Sequence, residues 1–345
     1  MPLEFQPSTP ADVEAIASAL VTAFHASPDA TFVNRDLLRW KYFEPGPDWI
    51  GSRSYMLRKD GAIKAHCGVW PMNLQFGSQR ISCNSYIDWV SDSDTPGAGV
   101  LLKKKLMKLT DTGVVVGGST DTREVVPRIG FKIIGEVATF ARVIRPLKLS
   151  RRRPSESPLK AAARLGRNTF IAKTARSRSS QGWRTQQTHR FESLPEFSHQ
   201  DTRVMPARTV EYLNYWLRLP VTEILAFDIL KGDEVRGYFL LSAVMNQTRI
   251  ADIRIWSDDP ADWATGYGLA TTAAASNAET CEVMAIASTP FAKEALLANG
   301  YRQRGIDPFF FYDPGEKLRE APPIFLNLID GDGAYLSDPG YPFLN

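Results

Sequence analysis

Five sequence features of this 345-residue chain recur in the same order about 170 positions further on, and this repeat constrains the fold more than any single motif does. Leu38-Arg39-Trp40-Lys41-Tyr42, followed by Pro45, returns as Asn214-Tyr215-Trp216-Leu217-Arg218, followed by Pro220. The turn Lys59-Asp60-Gly61 returns as Lys231-Gly232-Asp233, and Gly97-Ala98-Gly99 returns as Gly266-Tyr267-Gly268. Ser119-Thr120 returns as Ser288-Thr289, and Gly130-Phe131 as Gly300-Tyr301. The offsets at Trp40, Lys59, Gly97, Ser119 and Gly130 are 176, 172, 169, 169 and 170. Chance matches rarely keep both order and offset, so the chain reads as a tandem duplication. That suits its length, since single cores stop growing near about 250–300 residues.

Within the first copy, Thr9 and Pro10 predict a helix start, with Val13, Ile16, Leu20 and Phe24 at helical spacing. Asp60-Gly61 between apolar alternations predicts a hairpin, with strands over Ser54–Arg58 and Ile63–Trp70. Further strands are expected at Asn73–Phe76, Arg80–Val90, Val114–Gly118 and Phe131–Val143. Helices are expected over Gly97–Thr110 and near Arg123–Arg128. The second copy follows much the same order, with Gly266-Tyr267-Gly268 opening a helix. This is mixed α/β without the regular alternation of a dinucleotide-binding sheet.

The formal net charge of +3 conceals an uneven distribution. Between Arg142 and Arg190 stand fourteen Lys/Arg against one acid, Glu156, a net of +13 that leaves −10 for the remainder. Ser157-Pro158 predicts a helix through Arg176 inside this band, and Ser177–Gly182 reads as a flexible linker. No run of about 18 apolar residues suits a membrane span, and the N-terminus lacks a secretory pattern. Three scattered cysteines exclude a disulfide frame or a zinc site. A reducing, cytoplasmic compartment is the expectation.

Glycines at the strand-to-helix junction Asp94-Thr95-Pro96-Gly97-Ala98-Gly99-Val100 let backbone N–H groups approach a phosphate, or simply make a tight turn with close helix packing. His66, alternating with Lys64, reads as a solvated strand residue. Lys103, Lys104 and Lys105 read as a solvated helix face, and Cys67 and Cys83 as small core fillers. Trp40 and Trp216 read as packing residues in the core or between the copies. Asp330-Gly331-Asp332-Gly333 lacks the third carboxylate and closing Glu of a calcium loop, and reads as a turn.

The element order, with a glycine turn opening the third helix and Gly-Phe closing the fourth, resembles the GNAT family of acyl-CoA-dependent acetyltransferases. The family's turn is Arg/Gln-x-x-Gly-x-Gly/Ala, and Gly97 and Gly99 match its small positions. Arg128-Ile129-Gly130-Phe131 is similar to the family's fourth-helix ending. Trp40-Lys41-Tyr42 with Pro45, Trp216 with Arg218 and Pro220, and the late Asp330-x-Asp332 resemble a subset of tandem GNAT proteins. The resemblance covers nearly the whole chain apart from the basic band. It implies an α/β (α+β) fold with a mixed, mostly antiparallel sheet. It also implies two GNAT-like domains, 1–145 and 185–320, with a basic, partly helical connector at 146–184 and a tail at 321–345.

The activity implied is acyl transfer from acetyl-CoA or another acyl-CoA, with no metal, to an amine of a small molecule or sugar that attacks the thioester directly. The donor site is assigned to the first copy: Gly97, Ala98, Gly99 and Val100 at the pyrophosphate, Ser119 at the pantetheine, and the Val90 backbone N–H at the thioester oxygen. Asp88 is the candidate base. The chain departs from the family pattern at the first motif position, which is Asp94 and then Trp263, and at the general-acid Tyr, replaced by Val126 and Leu296. Two other readings remain open. Tandem GNAT units with a basic insert also resemble Fem-type aminoacyl-tRNA-dependent transferases, and the departures suit a catalytically inactive pair serving as a binding or scaffold protein. The basic band offers a surface for a polyanion such as tRNA, for an anionic membrane that Phe170 and Ile171 would enter, or for docking on the acidic copies.

Overall fold

A computed structural model describes residues 2–47, 49–151, 157–175, 177–178, 181–195, 203–318 and 323–339. The first half runs β1 (Glu4–Pro7), α1 (Val13–Phe24), α2 (Arg35–Tyr42), β2 (Ser54–Lys59), β3 (Ala62–Phe76), β4 (Gln79–Ser91), α3 (Ala98–Leu106), β5 (Thr112–Val116), α4 (Thr120–Arg128) and β6 (Lys132–Val143). The chain enters α1 through a 3-10 turn, where the Asp12 carboxylate accepts from the Thr9 N–H at 2.8 Å. Val13, Ile16 and Leu20 are buried as their spacing predicts, whereas Phe24 is largely exposed. Asp60 and Gly61 both take positive φ, 52° and 79°, the backbone of a type I′ turn between β2 and β3. The two strands expected at 63–70 and 73–76 are one continuous strand, β3.

Helices α5 (Pro146–Arg151) and α6 (Pro158–Thr174) occupy the basic band. Ser157 caps α6 as expected; the linker reading over 177–182 falls partly outside the described residues. The second half runs β7 (Trp183–Thr188), β8 (Met205–Pro206), α7 (Val210–Trp216), β9 (Ile224–Lys231), β10 (Glu234–Val244), β11 (Gln247–Ile255), α8 (Pro260–Ser276), β12 (Glu282–Ala287), α9 (Pro290–Ala298) and β13 (Arg302–Tyr312).

All of these strands join one mixed, mostly antiparallel sheet, in the order β1-β2-β3-β4-β5-β13-β6-β12-β11-β10-β9-β7, with β8 beside β3. The halves exchange their last strands. β13 lies antiparallel to β5 of the first half, and β6 lies antiparallel to β12 of the second. Only β4 with β5 and β11 with β12 are parallel among these strands. The exchange buries a shared aromatic centre on one face, where Trp40 and Trp70 from the first half meet Tyr212, Tyr215 and Trp216 from the second. Trp40 and Trp216 pack edge to face at 5.3 Å between ring centroids, as packing residues between the halves.

The basic band is docked on the second half by backbone carbonyls. Arg145 donates to Ala275 in the last turn of α8 and to Thr280 in the loop before β12, and Arg142 donates to Asn299 just after α9. Unsatisfied carbonyls and the helix dipole make helix C-termini natural seats for guanidinium groups.

Candidate active site

In the first half, β4 and β5 pair only through Cys83–Ser85 and Thr112–Val114. Beyond that point β4 continues to Ser91 while β5 turns to β13, so the strands open into a wedge. The register between β3 and β4 slips between His66 and Gly68, and this bulge puts Asp88 in the left-handed region with φ 50°.

The bulge sends the Asp88 carboxylate into the protein. Lys41 Nζ and the Tyr42 hydroxyl both donate to Asp88 Oδ2, and the Lys41–Asp88 ion pair is buried. Burial and the adjacent Asp88 charge push the Tyr42 phenol well above its ordinary range. The Asp88 carbonyl accepts from His66 Nδ1 at 3.1 Å, which leaves His66 Nε2 to accept from Ser54 Oγ at 2.8 Å. Burial lowers the His66 pKa to about 4, so the ring is neutral at physiological pH. His66 is therefore a fully buried residue and not the solvated one its alternation with Lys64 suggests. Asp88, with its carboxylate holding Lys41 and Tyr42, is placed as an anchor at the wedge. Val90 also departs from its expected role. Asp92 N–H donates to Lys64 at 2.9 Å, and on the same register Val90 faces His66 as a hydrogen-bonded pair. Its N–H is thus directed at β3 and away from the wedge.

The late Asp330-x-Asp332 turn completes this face. The turn Asp330–Gly333 crosses β4 beside Ser85, the last residue of β4 to pair with β5. Asp330 accepts from Arg208 at 2.8 Å, and Arg208 also holds Asp252 at 2.9 Å. Asp332 is half-buried; burial of its carboxyl and the neighbouring Asp88 charge raise its pKa to about 6.

On the opposite side, Gly97 caps α3 with φ 82°, and the Ala98 N–H that opens the helix donates to the Thr95 carbonyl at 3.2 Å. Gly99 packs tightly on β4: its carbonyl accepts from Trp89 Nε1 at 3.1 Å. Ala98 is buried with it, and Val100 is half-buried. Ser119 lies at the start of α4 and caps it, accepting from Thr122 N at 3.3 Å.

Lys103 reverses its expected exposure. It is fully buried, with Nζ 3.4 Å from the Tyr86 ring centroid and 4.8 Å from that of Trp89. Burial lowers its pKa to about 7. Lys103 Nζ, the Tyr86 hydroxyl and both amide atoms of Asn84 have no hydrogen-bond partner among the described residues. Asn84 and Tyr86 alternate on one face of β4, and with Lys103 they are buried beneath α3 where β4 still pairs with β5.

The second half has the same wedge; side chains close part of it, and a cavity lined by Arg203, Arg208, Arg254, Trp256 and Trp263 remains where β11 ends and α8 begins. β11 and β12 pair only through Gln247–Arg249 and Glu282–Met284. Val204 and Ile324 bridge between their diverging ends, and Ser288 Oγ donates to Ile324 O at 2.8 Å. Trp263, Phe291 and Phe325 close part of the space with ring centroids 4.9–5.3 Å apart. The expected helix start at Gly266 is also wrong. Helix α8 begins six residues earlier at Pro260, and Gly266 and Gly268 are packing positions against Ile255 and the Arg178 carbonyl.

No family model matches the chain, and no curated protein matches it. Solved structures do. A GCN5-related N-acetyltransferase from Anabaena variabilis superposes with a TM-score of 0.58 at 12% identity, covering 90% of this chain and 72% of that one. Another from Kribbella flavida gives 0.52 at 13% identity, covering 90% and 70%. Saccharomyces cerevisiae N-myristoyltransferase, with bound myristoyl-CoA and inhibitors, gives 0.61 at 11% identity, covering 91% and 81%. The fold is the GNAT fold.

Within the GNAT fold, the open wedge and the glycine turn belong to the first half of this chain. Val126 in α4 is fully buried and has no titratable group. Among the described residues no cluster of His, Cys, Asp or Glu could hold a metal ion, and no helix is long and apolar enough to cross a membrane.

Proposed function

We propose that this protein is an acyl-CoA-dependent N-acyltransferase whose donor lies in the wedge between β4 and β5. The carrying observation is the set of buried polar groups without hydrogen-bond partners on β4 and α3, Asn84, Tyr86 and Lys103, together with the glycine turn at Gly97 that opens α3. A pantetheine arm brings amide donors and acceptors, and its pyrophosphate brings anionic oxygens that both Lys103 and the α3 N-terminus would receive. The myristoyl-CoA bound in the yeast neighbour is a ligand of this class in the same fold.

In this reading an acceptor amine reaches the thioester from the face carrying Lys41, Asp88 and Asp332. Its lone pair attacks the carbonyl carbon, the C–N bond forms, and the C–S bond breaks to release the coenzyme A thiolate. Asp332, ionised above pH 6, takes the amine proton, while Asp88 holds Lys41 and the bulge in place. The thiolate is a competent leaving group and collects its proton from solvent. The acceptor is a small-molecule or sugar amine, and acetyl-CoA is the first donor to test.

Titration calorimetry with acetyl-CoA, myristoyl-CoA and coenzyme A tests the proposal. Binding is expected, and Gly97→Trp should abolish it. A Cβ at Gly97 meets open space, but its φ of 82° strains any side chain, so lost binding counts only where the thermal melt of the variant matches the parent's. A second reading, an inactive GNAT-fold binding protein, draws on the same Tyr86 and Lys103 packing and on Val126. It prevails if none of the three ligands binds at saturation, or if they bind and no amine is acylated.

A further inference from the structure

Helix α6 is held in one orientation. Its Ile171 side packs inward, and Arg142 donates to the Ala175 carbonyl at its end and to Asn299 beyond α9. What it turns outward is therefore fixed: Leu159, Ala162, Ala163, Gly166 and Phe170, at i, i+3, i+4, i+7 and i+11 along one stripe. Leu159 is 81% exposed and Phe170 69%, and Leu147 on the adjoining α5 is 62% exposed. Exposed Lys160, Arg167 and Lys173 flank the stripe, and neither α5 nor α6 contains an acid.

We propose that α5 and α6 form a docking face for an anionic lipid surface, independent of the acyltransfer reading. Charge alone would suit any polyanion, and solvation alone would need only the lysines and arginines. Neither accounts for a leucine and a phenylalanine held outward on a rigid helix, with small residues between them that keep the stripe flat. A bilayer interface accounts for both halves of the pattern. The apolar stripe enters the boundary between headgroups and acyl chains, and the long cationic side chains reach up to the phosphates. A nucleic acid would use the cations and stack on aromatic rings, but it has nothing for Leu159 or Leu147. The expectation that Phe170 and Ile171 both insert is narrowed: Phe170 faces out, whereas Ile171 anchors the helix.

Flotation of the full chain with vesicles tests this. Vesicles of phosphatidylcholine with about one anionic phosphatidylglycerol in three should bind the protein at low salt, and pure phosphatidylcholine should bind it far more weakly. Raising the salt should weaken the binding. Phe170→Glu and Leu159→Glu should each cost about tenfold in partition, with thermal melts unchanged because both side chains lie in solvent. Phe170→Trp should show a blue-shifted emission on the anionic vesicles only. The proposal is overturned if the protein does not float with anionic vesicles, or if the Glu variants float as well as the parent. It is equally overturned if tRNA shifts the protein in a gel while anionic vesicles leave it unbound, which would assign the face to nucleic acid.

Discussion

Trp40 and Tyr215 stack face to face with ring centroids 4.4 Å apart, and the Tyr215 hydroxyl donates to the Trp40 carbonyl at 2.6 Å. One comes from α2 and the other from α7, so the pair joins the two copies of the repeated helix. Arg53 adds to it, donating to both the Trp40 carbonyl and the Tyr215 hydroxyl.

Truncating this contact should loosen both halves together. Trp40→Ala should destabilise the fold by about 3–5 kcal/mol, and a double-mutant cycle with Tyr215→Ala should give a coupling of roughly 0.5–1.5 kcal/mol. Urea unfolding followed by tryptophan emission and by far-ultraviolet circular dichroism should give coincident transitions. Two separated transitions in the parent protein would mean that the halves fold independently despite the exchanged strands.

Asp94 stands at the position where the GNAT turn usually carries Arg or Gln, and it is exposed beside Gly97. A carboxylate near a pyrophosphate costs on the order of 1 kcal/mol in a solvated setting. Asp94→Asn should therefore tighten acyl-CoA binding by roughly fivefold, with the gain shrinking as salt is added. Calorimetry at two ionic strengths reads both effects; an unchanged affinity would place the pyrophosphate elsewhere.

The parts legible in the sequence were those set by neighbours along the chain. Thr9 with Asp12, Asp60-Gly61 and Ser157-Pro158 each specify a local backbone, and each forms as its residues dictate. The burial of His66 and Lys103 depends on distant strands and rings, and the sequence carries only weak signals of it. The run Ala65–Met72 is nearly all apolar, which marks a strand covered on both faces. Lys103 also lies four residues after Gly99 in the buried stripe Gly99, Leu102, Lys103 and Leu106, so helical phase alone separates it from Lys104 and Lys105. The late Asp330-x-Asp332 marks a turn but not where that turn docks. Its place beside Asp88 comes from the tail crossing a sheet built by the exchange of β6 and β13, and no spacing records that.

Asp332 should govern the acid limb of activity. With its pKa raised to about 6, it is protonated and unable to accept the amine proton at lower pH. Turnover per bound acceptor should rise with pH through about 6 and then level. Asp332→Asn should remove that limb and lower kcat by about 10²–10⁴-fold. Asp88→Asn instead unpairs Lys41 and should act on stability first. If Asp332→Asn keeps the parental pH profile, the base lies elsewhere.

Lys103 should leave its mark on stability as a function of pH. Its amine binds a proton with a pKa of about 7 in the folded chain, against an ordinary value of 10.5. Between those values the unfolded chain holds a proton that the folded chain does not, so stability rises with pH across that window and is lowest below 7. Lys103→Met keeps the length and apolar stem while removing the amine and its three unsatisfied donors. It should be more stable than the parent at about pH 6.5, and the advantage should shrink toward about pH 9.5. Urea midpoints at the two pH values decide the matter. An advantage that stays constant would show that the amine's proton is not what sets the difference. Acyl-CoA binding supplies a second readout: if Lys103 meets the phosphates, Lys103→Met gains stability and loses donor affinity, whereas a lysine that only fills space would leave affinity unchanged.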